Sequence, residues 1–191
     1  MYNVSFLGLK ENIAYGHQAI AGVKKDFPYG FKSNTYYQTF EQPVNEDTLH
    51  YYEDLIETTR ALILYKKRLG IPRKEATKEV VSVTNSANCG EQALLVSQKL
   101  DELGVKNKII TMNLCTKKIN SQYITNGHSF CVIDTAPDMK VSDPDTWGED
   151  AVIVDMWSNT VAKVQDAIKF FGSFLQPKKD EVVQFTVEDC Y

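Results

Sequence analysis

The sequence predicts an α+β domain in which an antiparallel sheet packs on a central helix. Two stretches have apolar residues at helical spacing, residues 47–69 and the segment that follows Cys89. Three short apolar or β-branched stretches, residues 105–113, 128–134 and 151–155, then indicate strands. The chain has 191 residues, of which 43% are hydrophobic and 24% charged, as expected for one globular domain. We therefore expect a single domain, with a mostly helical part at 1–84 and a core that carries the sheet at 85–191.

In the first part, the longest helix is predicted for residues 47–69. Acidic residues lie at its start, and Lys66, Lys67 and Arg68 lie in its last turn before Gly70, as the helix dipole favours. Pro72 begins a shorter helix to about residue 81, and residues 79–84 fit either a helix or an extended segment. Residues 1–44 are rich in aromatic residues and turn formers, and predict only a short strand at 4–9.

The central helix is predicted to begin at or just after Cys89 and to end before Gly104. Polar and small residues precede the cysteine, and an apolar stripe follows it. Unpaired backbone N–H groups and the helix dipole favour an anion at such a position, which increases the thiolate fraction of a cysteine. The position therefore favours a reactive thiol.

The part of the chain after the central helix is predicted to form strands separated by polar segments. A loop is predicted at 116–127, so that His128 begins a strand, and an acidic, solvated or substrate-facing loop is predicted at 134–150. Asp155 ends the next strand; a helix at 160–171 and a last strand at 181–187 follow. Cys131 points inward on its strand and is predicted to be buried.

Cys89, His128 and Asp155 fit the roles of a catalytic triad. A thiol that attacks an amide needs a base that holds it as thiolate and later protonates the leaving nitrogen. That base needs an acceptor that sets its tautomer and orientation. If the strands of His128 and Asp155 are neighbours, both side chains can face the thiol at the helix start.

The sequence resembles the papain-like superfamily, specifically its transglutaminase-like core. The resemblance covers about residues 85–160 and rests on Asn88-Cys-Gly-Glu-Gln-Ala93, Leu103-Gly-Val105, His128-Ser-Phe130 and Val152-Ile-Val-Asp-Met-Trp157. It implies Cys89 as nucleophile, His128 as general base and acid, and Asp155 as its orienter. Met156 departs from the proline that often follows the aspartate, and the acidic insertion at 135–150 lengthens the His–Asp interval.

An oxyanion hole is expected from the backbone N–H of Cys89 and an upstream side chain. In papain-like sites this side chain lies just upstream of the nucleophile, and here Asn85 and Asn88 are the candidates. Asn85 is preferred because Asn88 can serve as the helix cap. Two more residues line the predicted site. Trp157 either shields the His128–Asp155 pair or is part of the core, and Glu91 either tunes the thiol or only complements the helix dipole.

Charge and motifs narrow the function. A net charge of −4 argues against general binding to nucleic acid or anionic membranes, and no apolar run is long enough to span a bilayer. Neither metal-ligand spacing nor a disulfide framework is recognisable among the four cysteines, so no cofactor or metal is expected. The N-terminus lacks a Sec-type signal pattern, which predicts a cytoplasmic protein or one exported by a specialised route.

The resemblance extends to compact bacterial effectors and toxins that act on host proteins, so a protein substrate is expected. We expect a cysteine protease or related amide hydrolase first. A protein glutamine deamidase or a transglutaminase would use the same triad, with a glutamine side chain as the acyl donor. A binding module that retains the fold, with residues 1–84 as its interaction surface, is the non-enzymatic alternative.

Overall fold

The computed structural model describes residues 8–33, 46–118, 121–175 and 181–188. Within these ranges the chain forms five α-helices and a five-stranded antiparallel sheet, which confirms the α+β class. The helices are α1 (Leu9–Asp26), α2 (Glu46–Arg68), α3 (Arg73–Thr84), α4 (Cys89–Glu102) and α5 (Val164–Leu175). The strands are β1 (Asn107–Lys118), β2 (Ser121–Ile133), β3 (Val152–Asp155), β4 (Thr160–Lys163) and β5 (Glu181–Val187).

The strand order is β4-β3-β2-β1-β5, and every neighbouring pair is antiparallel. The β1–β2 pair is a long hairpin with a register shift at Leu114/Cys115. The loop predicted at 116–127 is therefore wrong for most of its length, and His128 lies well inside β2. Polar residues enter these strands because β2 pairs along β1, and the main-chain ladder outweighs weak strand propensity.

Helices cover both faces of the sheet. On one face, α1 and α4 pack on β2 and β3 through a core that includes Val23, Leu94 and Cys131. On the other face, α5 packs against β3 and β4 through a second core that includes Phe130 and Phe171. The α2–α3 pair lies outside this sandwich, where α3 contacts α4. No helix among the described residues is long and apolar enough to cross a membrane.

Helix α1 was not predicted from the sequence. Residues 4–7 of the expected strand lie outside the described residues, and Leu9 already begins α1. Gly16 and Gly22 lower the helix propensity of this segment. Gly16 is nevertheless required by packing, because a Cβ at this position would lie 2.7 Å from Val161 and 2.9 Å from Val154. The absence of a side chain thus lets α1 approach the sheet closely.

The remaining boundaries follow the sequence closely, with one open alternative resolved and one correction. Residues 79–84 are helical, since α3 continues to Thr84, and the last strand lies where it was predicted. The helix expected from residue 160 begins only at Val164, because residues 160–163 pair with β3 as β4. The acidic loop consists of exposed and half-buried residues and is anchored by Trp147, which is fully buried and donates from Nε1 to the Lys140 carbonyl at 3.1 Å.

Two glycines of α1 give a matched test of this packing. We expect Gly16→Ala to lower the free energy of unfolding by about 1–3 kcal/mol, because the new methyl group overlaps two valine side chains of the sheet. Gly22→Ala places its methyl group against the flexible stem of Lys99 at 3.2 Å, so it should be neutral or stabilising. Urea unfolding of both variants measures the difference. Equal stability of the two variants would contradict the close approach at Gly16.

Candidate active site

The site begins at the first turn of α4, of which Cys89 is the first residue. Asn88 is the N-cap, and its backbone N–H donates to Glu91 Oε2 at 3.0 Å in a capping box. Ser33 Oγ donates to Asn88 Oδ1 at 2.6 Å. Because Asn88 and Glu91 are both buried, the start of the helix is held in one conformation and the half-buried thiol lies at a defined position.

The segment around Lys32 supports the chain that leads into α4. Lys32 donates its backbone N–H to the Asn85 carbonyl at 2.8 Å, and Ala87 donates to the Lys32 carbonyl at 3.1 Å. Asn85 itself adopts the left-handed conformation, with φ 51°, at the end of α3. The N-terminal part of the chain therefore contributes directly to the position of Cys89.

His128 and Asp155 form a buried pair. His128 Nε2 lies 2.8 Å from Asp155 Oδ2, and the two side chains are 4% and 2% exposed. Asp155 ends β3, and its carboxylate accepts backbone N–H groups from Trp157 at 3.0 Å and from Ser158 at 3.3 Å. The hydroxyl of Ser158 also donates to Asp155 Oδ2. These donors fill the hydrogen-bonding positions of the carboxylate that the ring leaves open and fix its orientation.

Aromatic rings enclose the imidazole. The centroid of the His128 ring is 4.9 Å from Trp157, 5.0 Å from Phe171 and 6.0 Å from Phe130. Trp157 is 8% exposed, so it both belongs to the core and covers the His128–Asp155 pair. Sequence reasoning did not identify Phe171 or Ser158 as part of the site. Phe171 comes from α5, which no local motif connects to the triad.

The thiol reaches the imidazole around the edge of the sheet. His128 and Phe130 share the face covered by α5, whereas Cys131 faces α4, where its Sγ lies 3.1 Å from the Ala93 carbonyl. Strand β3 pairs with β2 only between residues 131 and 133, so the edge of β2 at Gly127 is not paired with β3. The start of α4 lies near this edge. Cys89 Sγ lies 4.0 Å from the Gly127 carbonyl oxygen. The structure thus brings the three residues predicted from the sequence together.

The surroundings of His128 favour its protonated form. Burial lowers the pKa of His128, but the charge of Asp155 and its hydrogen bond, together with the hydrogen bond and charge of Cys89, raise the pKa to about 10. The ring is therefore protonated at neutral pH. Since Nε2 faces Asp155, Nδ1 is the nitrogen left to the thiol, and the arrangement can hold a thiolate–imidazolium pair.

Glu91 has a structural role that the sequence left open. Besides capping α4, its Oε1 accepts from Arg60 Nε on α2 at 3.0 Å, so that Glu91 connects the two helices. Arg60 was not identified from the sequence, because nothing in the pattern of α2 marks it as different from other exposed charges. The half-exposed Asn85 remains a predicted oxyanion donor, whereas the contacts of Asn88 are those of a helix cap.

The structure describes two of the other cysteines and both remaining histidines. Cys115 and Cys131 are buried, and Cys190 lies outside the described residues. His17 is exposed, and His50 is an exposed partner of Glu53. Within the described ranges, no group of three or more His, Cys, Asp or Glu side chains could hold a metal ion.

Comparison of the chain with protein-family models, curated proteins and solved structures finds no match. These comparisons therefore assign no function, and the geometry of the side chains is the structural basis for a proposal.

The raised pKa of His128 predicts how stability depends on pH. A group whose pKa is higher in the folded state than in the unfolded state stabilises the fold fully below its unfolded pKa, here 6.5. This contribution is lost as the pH rises through the folded value of about 10. We expect the unfolding free energy of the wild type to fall over this range more steeply than that of His128→Gln. Urea unfolding at several pH values measures the two slopes, and parallel slopes would contradict a charged His128.

Proposed function

We propose that this chain is a cysteine-dependent hydrolase of amide bonds in protein substrates, with a papain-like, transglutaminase-like arrangement of Cys89, His128 and Asp155. The observation that carries the proposal is the buried His128–Asp155 pair, 2.8 Å apart, whose ring interacts with a thiol at a helix N-terminus. The family resemblance of residues 85–160 supports the same assignment of roles. No cofactor is needed for this chemistry.

The burial of the pair favours an enzyme over a binding module. Removing two charged groups from water is costly, and a buried ion pair is often no more stabilising than apolar residues of similar volume. A protein that uses only its surface gains nothing from such a pair next to a half-exposed thiol. A catalyst does gain, because the pair fixes the orientation and charge of the base.

The proposed reaction has two steps. The Cys89 thiolate attacks the carbonyl carbon of the substrate, and the imidazolium of His128 transfers its proton to the leaving nitrogen, which leaves a thioester and a neutral ring. His128 then takes a proton from water, whose oxygen attacks the thioester carbon. The C–S bond breaks, the carboxylic acid is released, and the Cys89 thiolate and the His128 imidazolium are restored. Asp155 keeps the ring oriented and stabilises its charged form in both steps.

The oxyanion of each tetrahedral intermediate requires hydrogen-bond donors. The backbone N–H of Cys89 is one of the unpaired donors at the start of α4, and we assign it to this role. The side chain of Asn85 is the proposed second donor, because Asn88 accepts from Ser33 Oγ and caps the helix. The backbone of Asn85 is held by Lys32, which favours a fixed position for its side chain.

Alkylation tests the nucleophile. We expect Cys89 to react with iodoacetamide faster than Cys115 and Cys131, but burial alone would make those two slow. The informative control is His128→Gln, which removes the imidazolium and should slow labelling of Cys89 roughly tenfold or more at neutral pH. Peptide mass spectrometry gives the rate for each cysteine. Equal Cys89 rates in the wild type and His128→Gln would contradict the triad.

The acyl acceptor and the substrate bond are determined by product analysis. Incubation with a lysate of candidate substrates, followed by mass spectrometry, should show new chain ends. Conversion of glutamine to glutamate without cleavage would instead identify a deamidase, and new glutamine–amine linkages a transglutaminase. Cys89→Ala must be inactive in the same assay, and any product that it still forms does not come from this site.

Asn85→Ala tests the oxyanion donor. Loss of one such donor typically costs about 3 kcal/mol in the transition state, a decrease in turnover of roughly 100-fold or more. The rate of Cys89 alkylation should be unchanged, because that reaction forms no oxyanion. Turnover by Asn85→Ala at the wild-type rate would show that the second donor lies elsewhere.

A further inference from the structure

Arg60 of α2 is directly connected to the first turn of α4. Its Nε donates to Glu91 Oε1 at 3.0 Å, and Glu91 is only two residues beyond Cys89 in the helix. The Glu91 side chain is 9% exposed, whereas that of Arg60 is 54% exposed. The carboxylate is therefore fixed by the protein interior, and it holds the guanidinium at the surface next to the first turn of α4.

The charge of Arg60 interacts with both groups. Partial burial lowers the pKa of Arg60, but the hydrogen bond and charge of Glu91, with smaller contributions from Cys89 and Glu57, raise it overall. The geometry agrees with this, because Glu91 Oε1 holds Arg60 Nε at 3.0 Å in the first turn of α4, where a positive charge favours a thiolate. Glu91, which is also near the thiol, has the opposite effect.

We propose that Arg60 is a positioning residue that promotes ionisation of Cys89, while Glu91 holds the guanidinium in place and partly offsets its charge. This inference rests on the proposed role of Cys89 as nucleophile. It assigns to α2, in the part of the chain outside the family resemblance, a share in the activation of the thiol. In this proposal Arg60 transfers no proton, and its role is electrostatic.

Other charged groups near α4 contribute a constant background to the thiol. His128 from β2, with Asp155 behind it, interacts with Cys89, and Glu57 lies on the same helix as Arg60 and interacts with it. Arg73 pairs with Glu188, which accepts from Ser129 on the α4 side of the sheet. The ion pairs that α1 and α3 make with α4 lie at its other end, and they are Lys99–Asp26, Lys74–Asp101 and Lys78–Glu102. The substitutions proposed below change none of these groups.

A purely structural role for Arg60 makes a different prediction from an electrostatic one. If Arg60 only braces the capping residue, then breaking the pair from either side should impair Cys89 in the same way. If its charge matters, neutralising Glu91 should have the opposite effect to neutralising Arg60. Glu91→Gln is suited to this comparison, because glutamine at this position preserves a capping box.

The experiment measures the rate of Cys89 alkylation by iodoacetamide against pH. We expect Arg60→Ala to move the midpoint of this profile to higher pH and to slow labelling below the midpoint about two- to fivefold, the range of a half-exposed charge interaction. Arg60→Lys, which keeps the charge, should restore most of the rate. Glu91→Gln should leave the midpoint unchanged or move it to lower pH.

Two further variants control for charge and folding. Arg68→Ala removes the same charge from an exposed position two turns further along α2, about 12 Å away, and should not move the midpoint. The double variant Arg60→Ala/Glu91→Gln leaves no buried carboxylate unpaired. Its midpoint should lie above that of Glu91→Gln alone, which measures the effect of Arg60 even if Arg60→Ala folds poorly.

The outcomes separate this inference from the proposed function. If His128→Gln slows labelling but Arg60→Ala and the double variant leave the midpoint unchanged, the inference is wrong and the triad stands. A shift to higher pH in Glu91→Gln equal to that in Arg60→Ala also overturns it, because both variants would then act by loosening the helix start. If His128→Gln has no effect on Cys89, the proposed function itself fails.

Discussion

The buried pair of His128 and Asp155 is the interaction on which the rest of the site depends. Two charged groups are removed from water almost completely, which is unfavourable unless the remaining hydrogen-bonding positions are filled. The turn after β3 fills them, since Trp157 and Ser158 donate to the carboxylate. Aromatic rings from β2, α5 and the same turn then exclude water from the imidazole. This burial by itself lowers the pKa of His128, but the charge and hydrogen bond of Asp155, with those of Cys89, raise it overall.

The part of the chain before residue 85 supports the start of α4 from two sides. Around Lys32 it forms a short parallel bridge to the segment that precedes Cys89, and Ser33 orients the capping asparagine. From α2, Arg60 pairs with the second capping residue. Thr59 on the same helix donates to Thr84 at the end of α3. These contacts converge on one helix terminus, so this part of the fold contributes to the position of the thiol whatever surface it offers to a partner.

Local patterns were reliable where one interaction dominates. The boundaries of α2 and α4 follow from caps, dipole charges and a regular apolar stripe, all of which act within a few residues. Strand β3 was recognisable because its central residues are buried on both faces. Helix α1 was not predicted because Gly16 is unfavourable in an isolated helix. In the folded protein its lack of a side chain allows close packing on Val154 and Val161. The polar half of β2 was not predicted because it is extended only through its main-chain pairing with β1, and this pairing leaves no pattern in the local sequence.

The sequence by itself determined the α+β class, the position of Cys89 at a helix start and the order of the three residues of the candidate site. Each of these depends on short-range chemistry that a linear pattern records. Only the tertiary structure decided that His128 faces α5, that the thiol reaches it around the open edge of β2, and that Arg60 lies beside the helix start. These features depend on the register at which β3 stops pairing and on packing between elements distant in the chain, and neither leaves a periodic signal in the sequence.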